Sequence, residues 1–104
     1  MSLTLRLILG DQLNSKHSWF SAVDDNITYL MMEIRQETDY VTHHIQKVAA
    51  FFASMRRFAE WLKKKGHHVI YFTLEEQDNT QNLVLNIRHA LDRKDFKHFE
   101  YMIQ

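Results

Sequence analysis

Three carboxylates and two histidine pairs are the residues of this chain whose types and spacing invite chemistry. Asp11 follows the apolar run Leu3 to Leu9 and Gly10. Glu33 and Glu37 sit in a dense polar knot, with Arg35, Gln36 and Asp39, at the end of a second apolar run, Ile27 to Ile34. If both runs are parallel strands, these groups lie at strand carboxyl ends, where open α/β sheets bind ligands. Asp11 and Glu33 then converge from adjacent strands, and Glu37 precedes a helix. Such carboxylates can accept hydrogen bonds from ring N–H groups or hydroxyls of a bound heterocycle. They can equally pair with Arg6 or Arg35, or cap helix N-termini, and composition alone favours that second reading. His43-His44 and His67-His68 suggest a metal. Neighbouring histidines diverge by about 100° on a helix and face opposite ways on a strand, so neither pair chelates well alone.

The commonest catalytic and phosphate-cradling signatures are missing. No Walker A pattern occurs, and no G-x-G-x-x-G follows the first strand. No G-x-S-x-G elbow occurs, and the chain has no cysteine, so disulfides, thiolate metal sites and Cys-ligated clusters are excluded from it. The 13 basic and 13 acidic residues cancel, so the total charge shows no footprint for nucleic acid or an acidic membrane. The apolar run after Met1 is too short for a signal peptide or a membrane span. A cytoplasmic, soluble single domain of 104 residues is the expectation.

The elements that must hold these residues follow from periodicity. Leu3–Leu9 reads as a buried, central parallel strand, with Arg6 the exception. Residues 14–26 read as a loop with a helical turn near Ser18 to Val23, pinned to the core by Trp19 and Phe20. Ile27–Ile34 is the second strand. Thr38 or Asp39 then caps a helix whose apolar residues, Val41, Ile45, Val48, Phe52, Met55, Ala59 and Leu62, step by four and three along one face. Lys63, Lys64 and Lys65 lie in its last turn, opposite the negative end of the dipole, and Gly66 is the expected C′ residue. That helix is about 25 residues, or roughly 38 Å at 1.5 Å per residue. His67–Leu74 is a third strand. Asn79 or Thr80 caps a helix through Leu83, Leu85, Ile87, Ala90 and Leu91, and Phe96–Ile103 is a fourth strand. Right-handed crossovers then give an α/β fold: a doubly wound parallel sheet of about four strands in order 3-2-1-4, with one long helix. A fourth strand in such a sheet normally leads to a further helix and strand, so the chain reads as a fragment of a longer one.

Leu7-Ile-Leu-Gly-Asp-Gln-Leu13, His17-Ser-Trp-Phe20, Met32-Glu-x-x-x-Glu-x-x-Tyr40-Val-x-His-His44, Lys47 and Phe52-x-x-Met-Arg-x-Phe-Ala59 carry a resemblance. Together they are similar to the N-terminal domain of the deoxyribodipyrimidine photolyase-related proteins, the bacterial iron–sulfur cryptochromes and (6-4) photolyases. The likeness covers nearly the whole chain and is strongest from Leu7 to Tyr71. A strand ending in Gly-Asp-Gln-Leu is weakly specific by itself. The same ending at this distance from Glu-x-x-x-Glu-x-x-Tyr-Val-x-His-His is strong.

The resemblance implies a Rossmann-like antenna domain that holds 6,7-dimethyl-8-ribityllumazine. By position, Gly10, Asp11, Gln12 and Leu13 match the first-strand part of the family's pocket. Met32, Glu33, Glu37 and Tyr40 match the second-strand part, with Glu37 the foremost candidate and Tyr40 placed to stack or hydrogen-bond. No catalytic or metal-binding residue is implied here. FAD, a [4Fe–4S] cluster and the DNA-lesion surface belong to the family's C-terminal domain, the expected partner, so this segment alone is not expected to catalyse repair, and DNA contact is expected only through that domain. Surface left bare without it leads us to expect a homodimer. A Rossmann-like interaction or regulatory module without chromophore is the alternative, and a small nucleotide-binding enzyme, lacking its glycine-rich loop, comes third.

Overall fold

The computed structural model describes residues 3–10, 12–34, 45–73, 79–94 and 96–101. Four strands, β1 (Leu3–Leu7), β2 (Ile27–Met32), β3 (His68–Phe72) and β4 (Phe96–Tyr101), form one sheet in the order β3-β2-β1-β4. Every pairing is parallel. This is the α/β sheet and strand order that the hydrophobic pattern implies. Two helices accompany it, α1 (Ile45–Lys64) and α2 (Leu83–Arg93). The strands are shorter than the apolar runs: Ile8, Leu9, Glu33 and Ile34 lie past the last ladder position. The start of α1, with Thr38 and Asp39 as candidate caps, lies outside the described residues.

Alternation within each strand divides the core between the two faces of the sheet. Tyr29 and Met31 point to the α1 face, where they join Ile8, Phe52, Met55, Ala59 and Leu62. Leu5, Leu7, Leu30, Met32 and Phe72 point to the α2 face and pack with Ala90. The stripe read along α1 is the buried one: Phe52, Met55, Ala59 and Leu62 are 8%, 0%, 3% and 0% exposed. Among its described residues, the connection from β1 to β2 has no α-helix. A 3-10 turn at Ser18–Phe20 takes its place, and Phe20, 4% exposed, fills the α1-side core beside Tyr29, Phe58 and Trp61. The Tyr29 hydroxyl donates to the Trp19 carbonyl at 2.7 Å, fixing the turn. Arg6, the polar exception in β1, lies 4.7 Å from the Trp19 ring centroid and pairs with Glu100 of β4 at 2.7 Å.

Helix ends follow their chemistry, with one correction. Gly66 takes φ +99°, the left-handed conformation expected of the C′ residue, and its N–H donates to the Lys63 carbonyl at 3.0 Å. The cap of α2 is neither Asn79 nor Thr80 but Asn82, whose Oδ1 accepts the Leu85 N–H at 3.1 Å. Asn79 is buried and employed elsewhere, and Gln81, at φ 62°, turns the chain between them.

His67, just after Gly66, is 6% exposed and packs edge-on against Tyr29 and Phe20. Its Nε2 has no hydrogen-bond partner among the described residues. Burial pushes its pKa below the usual 6.5, helped by Lys65 and His68 and opposed by the Phe20 backbone. The folded state therefore keeps a neutral ring while the unfolded chain takes up a proton near pH 6.5. The associated stability is present above that pH and falls as pH drops toward the lower folded value. In urea titrations between about pH 7 and pH 5, His67→Leu should flatten the acid-side decline relative to the unsubstituted protein; an identical slope would refute the assignment.

Candidate functional site

The strand order reverses at β1: the chain first moves outward to β2 and β3, then returns to place β4 on β1's other side. The crevice rule for doubly wound sheets therefore points at the carboxyl end of β1. Gly10, Gln12 and Leu13 are there. Gly10 is buried, and a Cβ on it would overlap the Phe51 ring and lie 3.0 Å from the Met55 Sδ. Glycine lets the end of β1 press directly on α1. Gln12 closes the turn from both sides, its N–H donating to the Leu9 carbonyl at 3.0 Å and its Oε1 accepting the Leu9 N–H at 3.1 Å. Leu13 is half-buried against the α1-side core. Asp11, Glu37 and Tyr40 lie outside the described residues.

Glu33 lies one strand away, at the end of β2, and is fully buried. Its carboxylate is held by a fork: Arg56 Nε donates to Oε2 at 2.6 Å and Arg56 Nη2 to Oε1 at 2.8 Å. The Tyr71 hydroxyl adds a third bond, to Oε2 at 2.6 Å. Helix α1, β2 and β3 thus meet on one carboxyl group. The sequence offers Arg6 and Arg35 as partners for this group; the structure supplies Arg56, which is 23 positions away and reaches back from α1. Hydrogen bonds to Glu33 and its charge drive the Arg56 pKa above the ordinary guanidinium range. Burial, then the bond to Glu33, drives the Tyr71 hydroxyl well above 10, so it stays protonated and donates.

The Glu33 main chain is tied as firmly. Its N–H donates to the Phe72 carbonyl at 2.8 Å, and its carbonyl accepts from Asn79 Nδ2 at 2.7 Å. The same Nδ2 bonds the Thr73 carbonyl at 2.9 Å, bridging the ends of β2 and β3. Asn79 Oδ1 in turn accepts from Gln81 N and Asn86 Nδ2, both at 2.9 Å. Asn86, 0% exposed on α2, accepts at Oδ1 from the Thr80 N–H and hydroxyl and approaches Met32 Sδ at 3.4 Å. Met32 is therefore a core residue on the α2 face. The sequence reading missed Arg56, Asn79 and Asn86. The one available signal was polar side chains at helical positions that otherwise belong to a buried face, and it names Asn86 alone. The described histidines 67 and 68 do not converge on a metal: His67 is enclosed in the core and His68 meets Asp25 at 3.2 Å. Among the described residues, no group of three or more metal-ligating side chains occurs, and no helix is long and apolar enough to cross a membrane.

Against this geometry the chain can be compared with known proteins. The family model described as deoxyribodipyrimidine photo-lyase-related protein matches residues 6–104. The chain belongs to that family. A (6-4) photolyase of Agrobacterium fabrum is similar to it, 37% identical over 89 residues, which are 85% of this chain and 18% of that protein. The photolyase-related chain thus spans less than a fifth of the length of the curated relative it matches.

Three outcomes follow for this photolyase-related domain. Arg56→Ala takes the guanidinium fork from a buried carboxylate and leaves it the Tyr71 hydroxyl among the described side chains. It should cost about 2 kcal/mol in urea unfolding, below the ~3–5 kcal/mol of a fully enclosed pair, because the Arg56 side chain is 57% exposed. Tyr71→Phe should cost about 1.5 kcal/mol, and the two losses should be non-additive. Gly10→Ala should destabilise by about 1–2 kcal/mol through overpacking, and by less in a Phe51→Leu background; equal costs in both backgrounds would mean Phe51 is not the obstacle.

Proposed function

We propose that this domain binds the antenna chromophore of a photolyase- or cryptochrome-like flavoprotein that acts in light-dependent DNA repair or blue-light sensing. The observation that carries the reading is the family match over residues 6–104, which takes in both strand ends at which the crevice rule puts a ligand. The chromophore class is 6,7-dimethyl-8-ribityllumazine. When bound, it absorbs near-ultraviolet to blue light and passes the excitation to a flavin held elsewhere in the full protein. FAD and a [4Fe–4S] cluster belong, in this reading, to a C-terminal domain that is also the domain's partner and carries the contact with lesion DNA.

The described residues suit this ligand unequally. Gln12 and Leu13, half-exposed beside the end of β1, offer an amide edge and an apolar contact. Glu33 has its oxygens engaged by Arg56 and Tyr71, and Met32 is packed against Asn86, so both serve as supports rather than contacts. Gly10 sets the depth of the crevice floor by bringing β1 onto α1. The polar contacts to the ring and the ribityl chain fall, in this proposal, to Asp11, Glu37 and Tyr40. Glu37 comes first, because a carboxylate accepts from ring N–H and hydroxyl donors alike.

A titration of the purified protein with the lumazine, followed by absorbance and fluorescence, tests this. Saturable binding should fall at least tenfold in Glu37→Ala, the loss of a charge-assisted hydrogen bond of about 1.5–3 kcal/mol, with the thermal unfolding curve unchanged. Binding equally strong in Glu37→Ala would remove that residue from the pocket. No binding by either this chain or a longer one carrying the flavin domain would favour the alternative, an interaction or regulatory module without chromophore.

A further inference from the structure

Among the described residues, β4 closes one edge of the sheet and carries an uncovered apolar face. Register sets the facing of its side chains. Phe99 stands beside Leu5 and Tyr101 beside Leu7, so both lie on the α2 side. His98 and Glu100, beside Thr4 and Arg6, lie on the α1 side. Leu5 and Leu7 are buried with Ala90 of α2, but the two aromatic residues next to them stay open: Phe99 is 37% and Tyr101 62% exposed. Their ring centroids are 6.2 Å apart. The opposite edge differs: among the described residues, β3 carries no exposed large hydrophobic side chain. An open edge pairs readily with another strand unless charges or a bulge prevent it. β4 has both. The bulge, however, falls at Lys97, and the register is regular from His98 to Tyr101. The charges of that stretch follow a self-complementary order.

A two-fold axis perpendicular to the sheet runs a second β4 antiparallel to the first and keeps like faces together. Each side chain then meets one of its own facing, so the axis must pass through a residue. Through His98, that residue meets itself. Through Glu100, two carboxylates meet, which is unfavourable. Through Phe99, the ring meets its own copy, and each His98 stands opposite the partner's Glu100. Directly opposed side chains lie about 4.5–5.5 Å apart at Cβ, where aromatic pairs and opposite charges are favourable. A neutral imidazole still offers one ring N–H to a carboxylate. Glu100, 48% exposed, keeps acceptor capacity beyond the Oε1 that takes the Arg6 Nε–H. Tyr101 falls diagonally across from the partner's Phe99, within reach of an aromatic ring. One register thus covers the apolar face and matches the charges on the other.

We propose that β4 is a self-association surface: two copies of this chain join antiparallel, with Phe99 on the two-fold axis, and merge their sheets into one. The proposal gives the expected homodimer its surface and is independent of the chromophore reading. The chain has no cysteine, so single introduced cysteines report the register directly. Under oxidation with diamide, Phe99→Cys should cross-link to its own copy. His98→Cys and Glu100→Cys should each stay uncross-linked alone, because their own copies lie diagonally, about 7–8 Å away. Mixed together, those two variants should link to each other, since a disulfide needs about 3.5–4.5 Å between Cβ atoms. Sedimentation of the unsubstituted protein from about 10 μM to about 1 mM should show a monomer–dimer equilibrium. His98→Glu, which sets acids opposite each other twice, should weaken it about tenfold, and His98→Lys should strengthen it. His89→Glu makes the same substitution at an exposed site on α2 and should stay within about twofold of the unsubstituted protein. A monomer throughout overturns the proposal and leaves the edge to a strand of different sequence. Cross-linking by His98→Cys alone as readily as by Phe99→Cys, or equal weakening by His89→Glu, overturns it as well.

Discussion

The buried carboxylate of Glu33 is the constraint on which the carboxyl end of this sheet depends. A carboxylate without exposure is tolerated only when it is paired and its lone pairs are met. Arg56 supplies a fork and Tyr71 a hydroxyl. Because those partners come from α1 and β3, satisfying one group fixes the spacing of three elements. Its own main chain extends the same logic to the other side of the sheet, through Asn79 to Asn86 on α2. Side-chain packing holds the two helices along the sheet; this polar chain adds directional bonds at its carboxyl end, past the last ladder position of β2. The arrangement trades a hydrophobic contact, which tolerates sliding, for directional bonds, which do not.

Gly10 plays the matching part at β1. A side chain there would have to displace Phe51, so the backbone itself becomes the packing surface against α1. The helix is thereby positioned twice, by contact at β1 and by charge at β2. The long unhelical connection between those strands adds a third restraint, with Phe20 buried in the same core and Trp19 held through Tyr29. Strand ends fixed in this way leave the residues after them free to differ without disturbing the sheet.

What the sequence made legible was what periodicity and local chemistry decide. Apolar runs, broken at Arg6, identified β1 to β3, the four–three steps identified the buried face of α1, and Gly66 marked its end. The order of the strands followed from the handedness of crossovers. Less legible was everything that joins residues far apart. Arg56 meets Glu33 across 23 positions and Tyr71 meets it across 38. No local rule selects Arg56 over Arg6 or Arg35, since all three are exposed-type residues until a fold brings one of them to the carboxylate. The cap of α2 was misplaced for a related reason. Asn79, Thr80 and Asn82 are all good capping types within one turn, and the choice between them was settled by Asn79 being claimed by Glu33 and Thr73.

The same distinction separates two carboxylates four residues apart in the sequence. In sequence, Glu33 and Glu37 are equivalent candidates for a ligand. In the fold, the first is enclosed and triply bonded by its own protein, which makes it a poor acceptor for anything else. An enclosed, satisfied carboxylate gives the chain that follows it a fixed origin, and a fixed origin reduces the ordering entropy that a ligand contact made by that chain must overcome. If Glu37 is the contact, its strength thus depends in part on Glu33. Arg56 carries that dependence outward, because the guanidinium that neutralises Glu33 belongs to a side chain 57% exposed on α1.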